Sequence, residues 1–131
     1  MKQRLRLLKQ FYQLPLFCLL VAITSCSTAE DTSVVTTTVP EMDATLDKSP
    51  TSLRLFFTEA PDAEKSAISL TGPEGDITLT LLHTMGMNDL MIFINDLPLS
   101  NGQYKVSWQT VLGEKAQAYK GSYHFTVAAP E

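Results

Sequence analysis

Two stretches near the C-terminus limit what this chain can fold into. In Gly102 to Val111, Tyr104, Val106 and Trp108 alternate with Gln103, Lys105, Ser107 and Gln109. In Lys120 to Val127, Tyr123, Phe125 and Val127 alternate with Ser122, His124 and Thr126. A period of two puts successive side chains on opposite faces of a strand, so each stretch predicts one apolar and one wet face. The residues from Leu112 to Ser122 are rich in polar and turn types and give the chain room to reverse, which predicts an antiparallel pair. Tyr104 and Trp108 are expected to anchor the core, and His124 to face solvent.

The chain upstream supplies strands to cover this pair. Val34 to Val39 is β-prone and predicts a first edge strand, followed by a turn between Pro40 and Ala44. Leu53, Leu55 and Phe57 alternate in Ser52 to Phe57, and Ala60-Pro61-Asp62 ends that run. Ile68 and Leu70 share a face of Ala67 to Thr71, and Gly72-Pro73-Glu74-Gly75-Asp76 is a strong turn. Ile77, Leu79 and Leu81 predict a strand over Ile77 to Leu82. Leu90, Ile92 and Ile94 predict another after a connection from His83 to Asp89. No segment keeps a helical period. About seven short strands separated by turn signals predict an all-β fold, an immunoglobulin-like Greek-key β-sandwich.

The N-terminus has a different character. Lys2, Arg4, Arg6 and Lys9 precede an apolar run from Leu14 to Ile23, and no acidic residue occurs before Glu30, which is the plan of a secretory signal over residues 1–25. The run is short for a membrane span, which needs about 20 apolar residues. Ile23-Thr24-Ser25-Cys26 resembles the lipobox of bacterial lipoproteins, which implies cleavage before Cys26 and its acylation. A plain cleavage after Ala29, at Ser27-Thr28-Ala29, is the alternative. Cys18 lies in the apolar run and would leave with the signal, so Cys26 has no disulfide partner. By resemblance to lipoprotein sorting, Ser27 after the lipidated position implies a periplasmic protein held at the outer membrane. Residues 26–33, polar and small, read as a flexible tether from that anchor, and 34–128 as the folded domain.

Charge and motif content exclude several functions. Loss of four of the ten basic groups with the signal leaves six against fourteen acidic ones, a net charge of −8. Nucleic acid is therefore not an expected partner, because phosphate neutralisation needs clustered Lys and Arg. The sequence carries no Ser-His-Asp or Cys-His arrangement and no glycine-rich phosphate loop, and it is not read as an enzyme.

The folded part resembles the CopC-type periplasmic copper-resistance domain. The family's Pro followed by Asp-Gly-Ala is met by Pro40-Glu-Met-Asp43-Ala44, and its Phe-Ser-Glu strand end by Leu55-Phe-Phe57-Thr58-Glu59. Its Pro-Leu-x-x-Gly-x-Tyr-x-Val-x-Trp is met by Pro98 to Trp108, and its Gly-x-x-x-Phe-x-Val by Gly121 to Val127. The resemblance runs from about Val34 to Val127. It implies a Greek-key sandwich and copper as the bound ion, with an envelope copper-transport protein as partner.

The family's copper(II) ligands are mostly missing. That site uses an N-terminal histidine with its free amine, the glutamate after the first long strand, and an Asp-x-His element between the last two strands. Only Glu59 has a counterpart. The last connection contains Glu114 and Lys115 but no histidine, and an acylated Cys26 supplies no free amine. Copper(II) prefers nitrogen and oxygen ligands in tetragonal geometry, and the two histidines of the chain cannot rebuild that set. A histidine-brace oxidative chemistry is excluded on the same ground.

One other stretch offers ligands. His83, Met85, Met87 and Met91 lie within nine residues and provide an imidazole and three thioethers, a set suited to soft copper(I) or silver. Some members of the resembled family carry a methionine-rich copper(I) loop in this part of the chain. Gly86 would let Met85 and Met87 converge. Glu59 is the further candidate ligand, a carboxylate that would cap the metal region. The competing reading is that Met87 and Met91 fill gaps in the core beside Leu90 and Ile92, that His83 is an ordinary strand-end residue and that Glu59 is an exposed strand-end carboxylate. Two functions follow: a lipid-anchored copper-binding protein for resistance or trafficking, or a metal-free interaction or structural module of the envelope.

Overall fold

A computed structural model describes residues 30–131, so the signal segment and Cys26 lie outside the described residues. Eight strands form two sheets. The strands are β1 (Val35–Val39), β2 (Thr45–Leu46), β3 (Ser52–Phe57), β4 (Ala67–Gly72), β5 (Gly75–Ile77), β6 (Asp89–Phe93), β7 (Gly102–Leu112) and β8 (Gln117–Val127). A three-stranded sheet has the order β1-β3-β6, and a five-stranded sheet the order β2-β8-β7-β4-β5. The helical content of the described residues is one 3-10 turn, Ala63–Lys65, capped by the Asp62 side chain. The all-β immunoglobulin-like sandwich expected from the alternation is the observed architecture, with one strand more than the seven expected.

The β7–β8 pair is its backbone. The strands pair antiparallel at eleven positions from Gly102↔Val127 to Leu112↔Gln117. Residues expected as a long connection are therefore mostly strand, and the reversal is confined to Gly113–Ala116. Gly113 and Ala116 take positive φ angles of 68° and 49°, which lets a short turn reverse the chain while the polar residues beside it stay on the exposed face. The inward row of β7, Tyr104, Val106 and Trp108, and that of β8, Tyr123, Phe125 and Val127, are all buried, while His124 is exposed as expected. Tyr104 and Phe125 are direct cross-strand partners and stack at 5.4 Å.

The three-stranded sheet closes the core with Leu53, Leu55 and Phe57 from β3 and Leu90 and Ile92 from β6. Phe57 meets Trp108 edge to face at 5.4 Å across the two sheets. Trp108 also lies over Gly121, its partner on β8, where a Cβ would fall 2.6 Å from the indole ring. That contact explains a glycine in the middle of a strand.

Two elements differ from expectation. The strand expected over Ile77 to Leu82 ends at Ile77, and Leu81 has φ 62°, a left-handed conformation that breaks the strand pleat. Leu79 and Leu82 still pack on the core, so the alternation reports burial there without sheet pairing. β2 was not expected. It pairs parallel to β8 through Thr45↔Thr126 and Leu46↔Val127 and covers that strand's edge. Nearby, Glu30 and Asp31, expected within a flexible tether, are held along β8, where the Asp31 amide donates to Lys120 O at 3.1 Å and the Ser122 hydroxyl to the Glu30 carboxylate.

Candidate metal centre

The outer face of the three-stranded sheet carries most of the candidate ligands. Alternation along β6 turns Leu90 and Ile92 inward and Asp89, Met91 and Phe93 outward. Just before β6, His83 pairs with Met91 in an isolated antiparallel bridge, each amide donating to the other's carbonyl at 2.8 Å. Directly opposed residues project to the same side, with Cβ atoms about 4.5–5.5 Å apart. His83 and Met91 therefore stand side by side on the outer face. The His83 ring also lies 6.0 Å from that of Phe93, the next outward residue of β6. Across β6 in the other direction, Met91 opposes Arg54 of β3.

The loop between His83 and β6 folds over this row. Gly86 and Asn88 have φ of 76° and 56°, left-handed conformations that bend the chain sharply before β6. Met85 and Met87 are 58% and 65% exposed, so neither fills the core. Met91 is half-buried. Arg54 Nη2 donates to the Met87 sulfur at 3.8 Å, which brings Met87 beside the row that already holds His83 and Met91.

Beneath the loop sits Asp89, a carboxylate with 0% exposure. Its Oδ1 accepts the Met85 amide at 2.9 Å, the Met87 amide at 3.4 Å and the Thr84 hydroxyl at 3.4 Å. Its Oδ2 accepts Arg54 Nε at 2.7 Å. The Thr84 oxygen in turn accepts the Gly86 amide at 3.2 Å. Burial alone would raise the Asp89 pKa, but the Met85 amide, the Arg54 guanidinium and the Met87 amide together outweigh it and hold the group below its ordinary value. Arg54 is fixed from its other side by the Phe56 ring, with 4.4 Å between the guanidinium carbon and the ring centroid.

Glu59 lies apart from the His-Met row. It follows the end of β3, is exposed, and rests against Gly113 of the β7–β8 turn, whose amide donates to the neighbouring Ala60 carbonyl at 3.1 Å. Among the described residues, no group of three His, Cys, Asp or Glu side chains is placed to hold a metal ion. The His83 to Met91 segment carries neutral soft donors, and thioether and imidazole suit a soft monovalent ion better than a hard one.

The contribution of Asp89 and Arg54 is not apparent from the sequence. Arg54 occupies an outward position in β3 and Asp89 opens β6, its neighbour in the three-stranded sheet, both ordinary places for exposed charge. Their pairing depends on the β3–β6 register, in which Phe56 opposes Asp89 and Arg54 opposes Met91. The short segment Thr84-Met-Gly-Met-Asn-Asp89, with hydroxyl, glycine and carboxylate at turn spacing, is the one local signal that could have suggested it.

Solved structures similar to this one include CopC from Methylosinus trichosporium OB3b, with a TM-score of 0.66 and 20% identity over 74% of this chain and 94% of that one. PcoC, a methionine-rich copper resistance protein from Escherichia coli, is similar with a TM-score of 0.63 and 23% identity, covering 72% of this chain and 96% of its own. A selenomethionine form of PcoC from Escherichia coli gives 0.62 and 22%, over 72% and 98%. At such identities the likeness is one of fold. No curated protein matches the chain. The family model of the CopC domain, however, matches residues 35–128, from the first strand to just past the last, and the chain belongs to the CopC domain family.

Proposed function

We propose that this is a periplasmic copper-binding protein of copper resistance or trafficking, holding copper(I) with His83, Met85, Met87 and Met91 and anchored to the outer membrane through an acylated Cys26. The observation that carries the reading is the cross-strand pair His83 and Met91 on an outer sheet face, with two exposed thioethers in the loop that joins them. Their exposure leaves both sulfurs accessible to an ion from solvent. Family membership and the copper proteins that share the fold support copper as the ion. Glu59, a hard oxygen donor beside the β7–β8 turn, stands outside this thioether set.

The protein's part would be carriage by ligand exchange. Neutral thioethers bind copper(I) without a charge to be neutralised, and their exposure lets an acceptor site on an envelope copper-transport protein take over one ligand at a time. A second reading, a metal-free envelope module, is favoured by the missing histidine between β7 and β8. Competition for copper(I) between the full-length protein and a chromogenic chelator separates the two. The copper reading predicts one bound equivalent that is lost when Met85 and Met87 are both changed to Leu. Absence of competition by the parent protein would leave the module reading.

A further inference from the structure

The buried Asp89 carboxylate is more than a partner for Arg54. A carboxylate without solvent contact in a small domain is costly to bury, and it is tolerated when its oxygens are occupied by donors. Here three of the four donors come from a single short loop: the Met85 amide, the Met87 amide and the Thr84 hydroxyl all converge on Oδ1. The two amides belong to the two exposed methionines. With both peptide N–H groups turned down onto one oxygen, the intervening Gly86 takes its positive φ, and the Met85 and Met87 side chains are left on the solvent side. The fourth donor, Arg54 on Oδ2, ties the assembly to β3 directly opposite Met91.

We propose that Asp89 is the positioning residue of the His83 to Met91 site, its carboxylate holding the Thr84–Asn88 turn in the conformation that presents both thioethers beside the His83–Met91 pair. The inference rests on the copper(I) reading of those ligands and adds what organises them. Arg54 acts as the clamp on the anchor. Its Nη2 contact to the Met87 sulfur keeps that side chain on the row in the absence of metal, and an arriving cation exchanges for this one N–H donor without dismantling the turn. Preorganisation of this kind makes the ligands available without an ordering cost at the moment of binding.

Two variants and one measurement on the parent test it. Asp89→Ala removes the anchor, and Asp89→Asn keeps one oxygen able to accept both loop amides. Loss of a group that orients metal ligands costs about 10- to 100-fold in affinity, so Asp89→Ala should weaken copper(I) binding by that factor in chelator competition, while Asp89→Asn stays within about threefold of the parent. In the metal-free full-length protein, the Met85 and Met87 amides should be protected from hydrogen exchange in the parent and in Asp89→Asn and unprotected in Asp89→Ala, with β7 and β8 amides protected in all three. Free exchange of the Met85 and Met87 amides in the parent would overturn the proposal even if Asp89→Ala cannot be folded. So would unchanged copper(I) affinity in Asp89→Ala, or an equal loss in both variants, which would assign the effect to lost charge. If the parent binds no copper(I), the site reading itself falls and the positioning role falls with it; protected amides would then mark Asp89 as an anchor of the loop alone.

Discussion

Replacing Arg54 by Met tests the electrostatic account of the outer face. The substitution keeps most of the side-chain length and its apolar contact with Phe56 but leaves Asp89 without a cation. Breaking a buried pair by removing one partner costs about 3–5 kcal/mol, because the remaining charge stays desolvated. Two features place this case at the lower end. The Arg54 side chain is 24% exposed, so water screens part of the pair, and the Met85 and Met87 amides still donate to Asp89. The lost cation–π contact adds about 0.5–1 kcal/mol, partly offset by the methionine against the ring. The expected loss is about 3 kcal/mol. For a domain of this size that lowers the thermal midpoint by about 12 °C or more. Urea unfolding followed by Trp108 fluorescence gives the free energy directly. A loss below about 1 kcal/mol would mean that the pair behaves as an exposed surface bridge and not as a buried one. The sign with pH follows from the same contacts. The folded pKa of Asp89 is depressed, so its contribution is complete above the unfolded carboxylate value of about 3.9 and is lost as pH falls through the folded value. Asp89→Asn should remove that part of the acid transition.

Other perturbations read other parts of the fold. Gly121→Ala places a methyl 2.6 Å from Trp108 Cζ2 and should cost about 1–3 kcal/mol by overpacking, with a changed near-ultraviolet circular dichroism band from the displaced indole; an unchanged band and midpoint would contradict the contact. Tyr123 is buried, its hydroxyl meets no partner in hydrogen-bond geometry, and burial raises its pKa well above the ordinary value, an effect the nearby Thr38 side chain opposes only in part. The unfolded chain therefore loses this proton first. Stability due to Tyr123 is full below about pH 10 and declines as pH rises above it, a decline that Tyr123→Phe should reduce in alkaline denaturation curves.

The strands with large alternating side chains are legible from the sequence because period-two burial is a local property. Tyr104, Trp108, Phe125 and Leu55 lie where that period puts them. It fails where burial and pairing part company. Leu79 and Leu82 pack on the core without a neighbouring strand, and β2 is held by two residue pairs to β8 rather than by any pattern of its own. The candidate ligands are visible as soft donors close in sequence, but the pairing of His83 with Met91 comes from their bridge, and the Asp89 anchor from the β3–β6 register. The Arg54–Asp89 contact joins residues 35 apart in sequence, out of reach of local patterning. Glu59 shows the converse. Its place after β3 is evident from sequence, whereas its position against Gly113, apart from the methionines, depends on how the two sheets stack.

X-ray absorption at the copper edge of the copper(I)-loaded protein shows whether thioethers and one imidazole take copper(I) on the outer sheet face. Sulfur scattering from methionine ligands is expected together with one imidazole, with the sulfur contribution reduced in the variant in which Met85 and Met87 are both Leu. A spectrum fitted by nitrogen and oxygen alone, or one unchanged in that variant, would contradict copper(I) binding by these ligands.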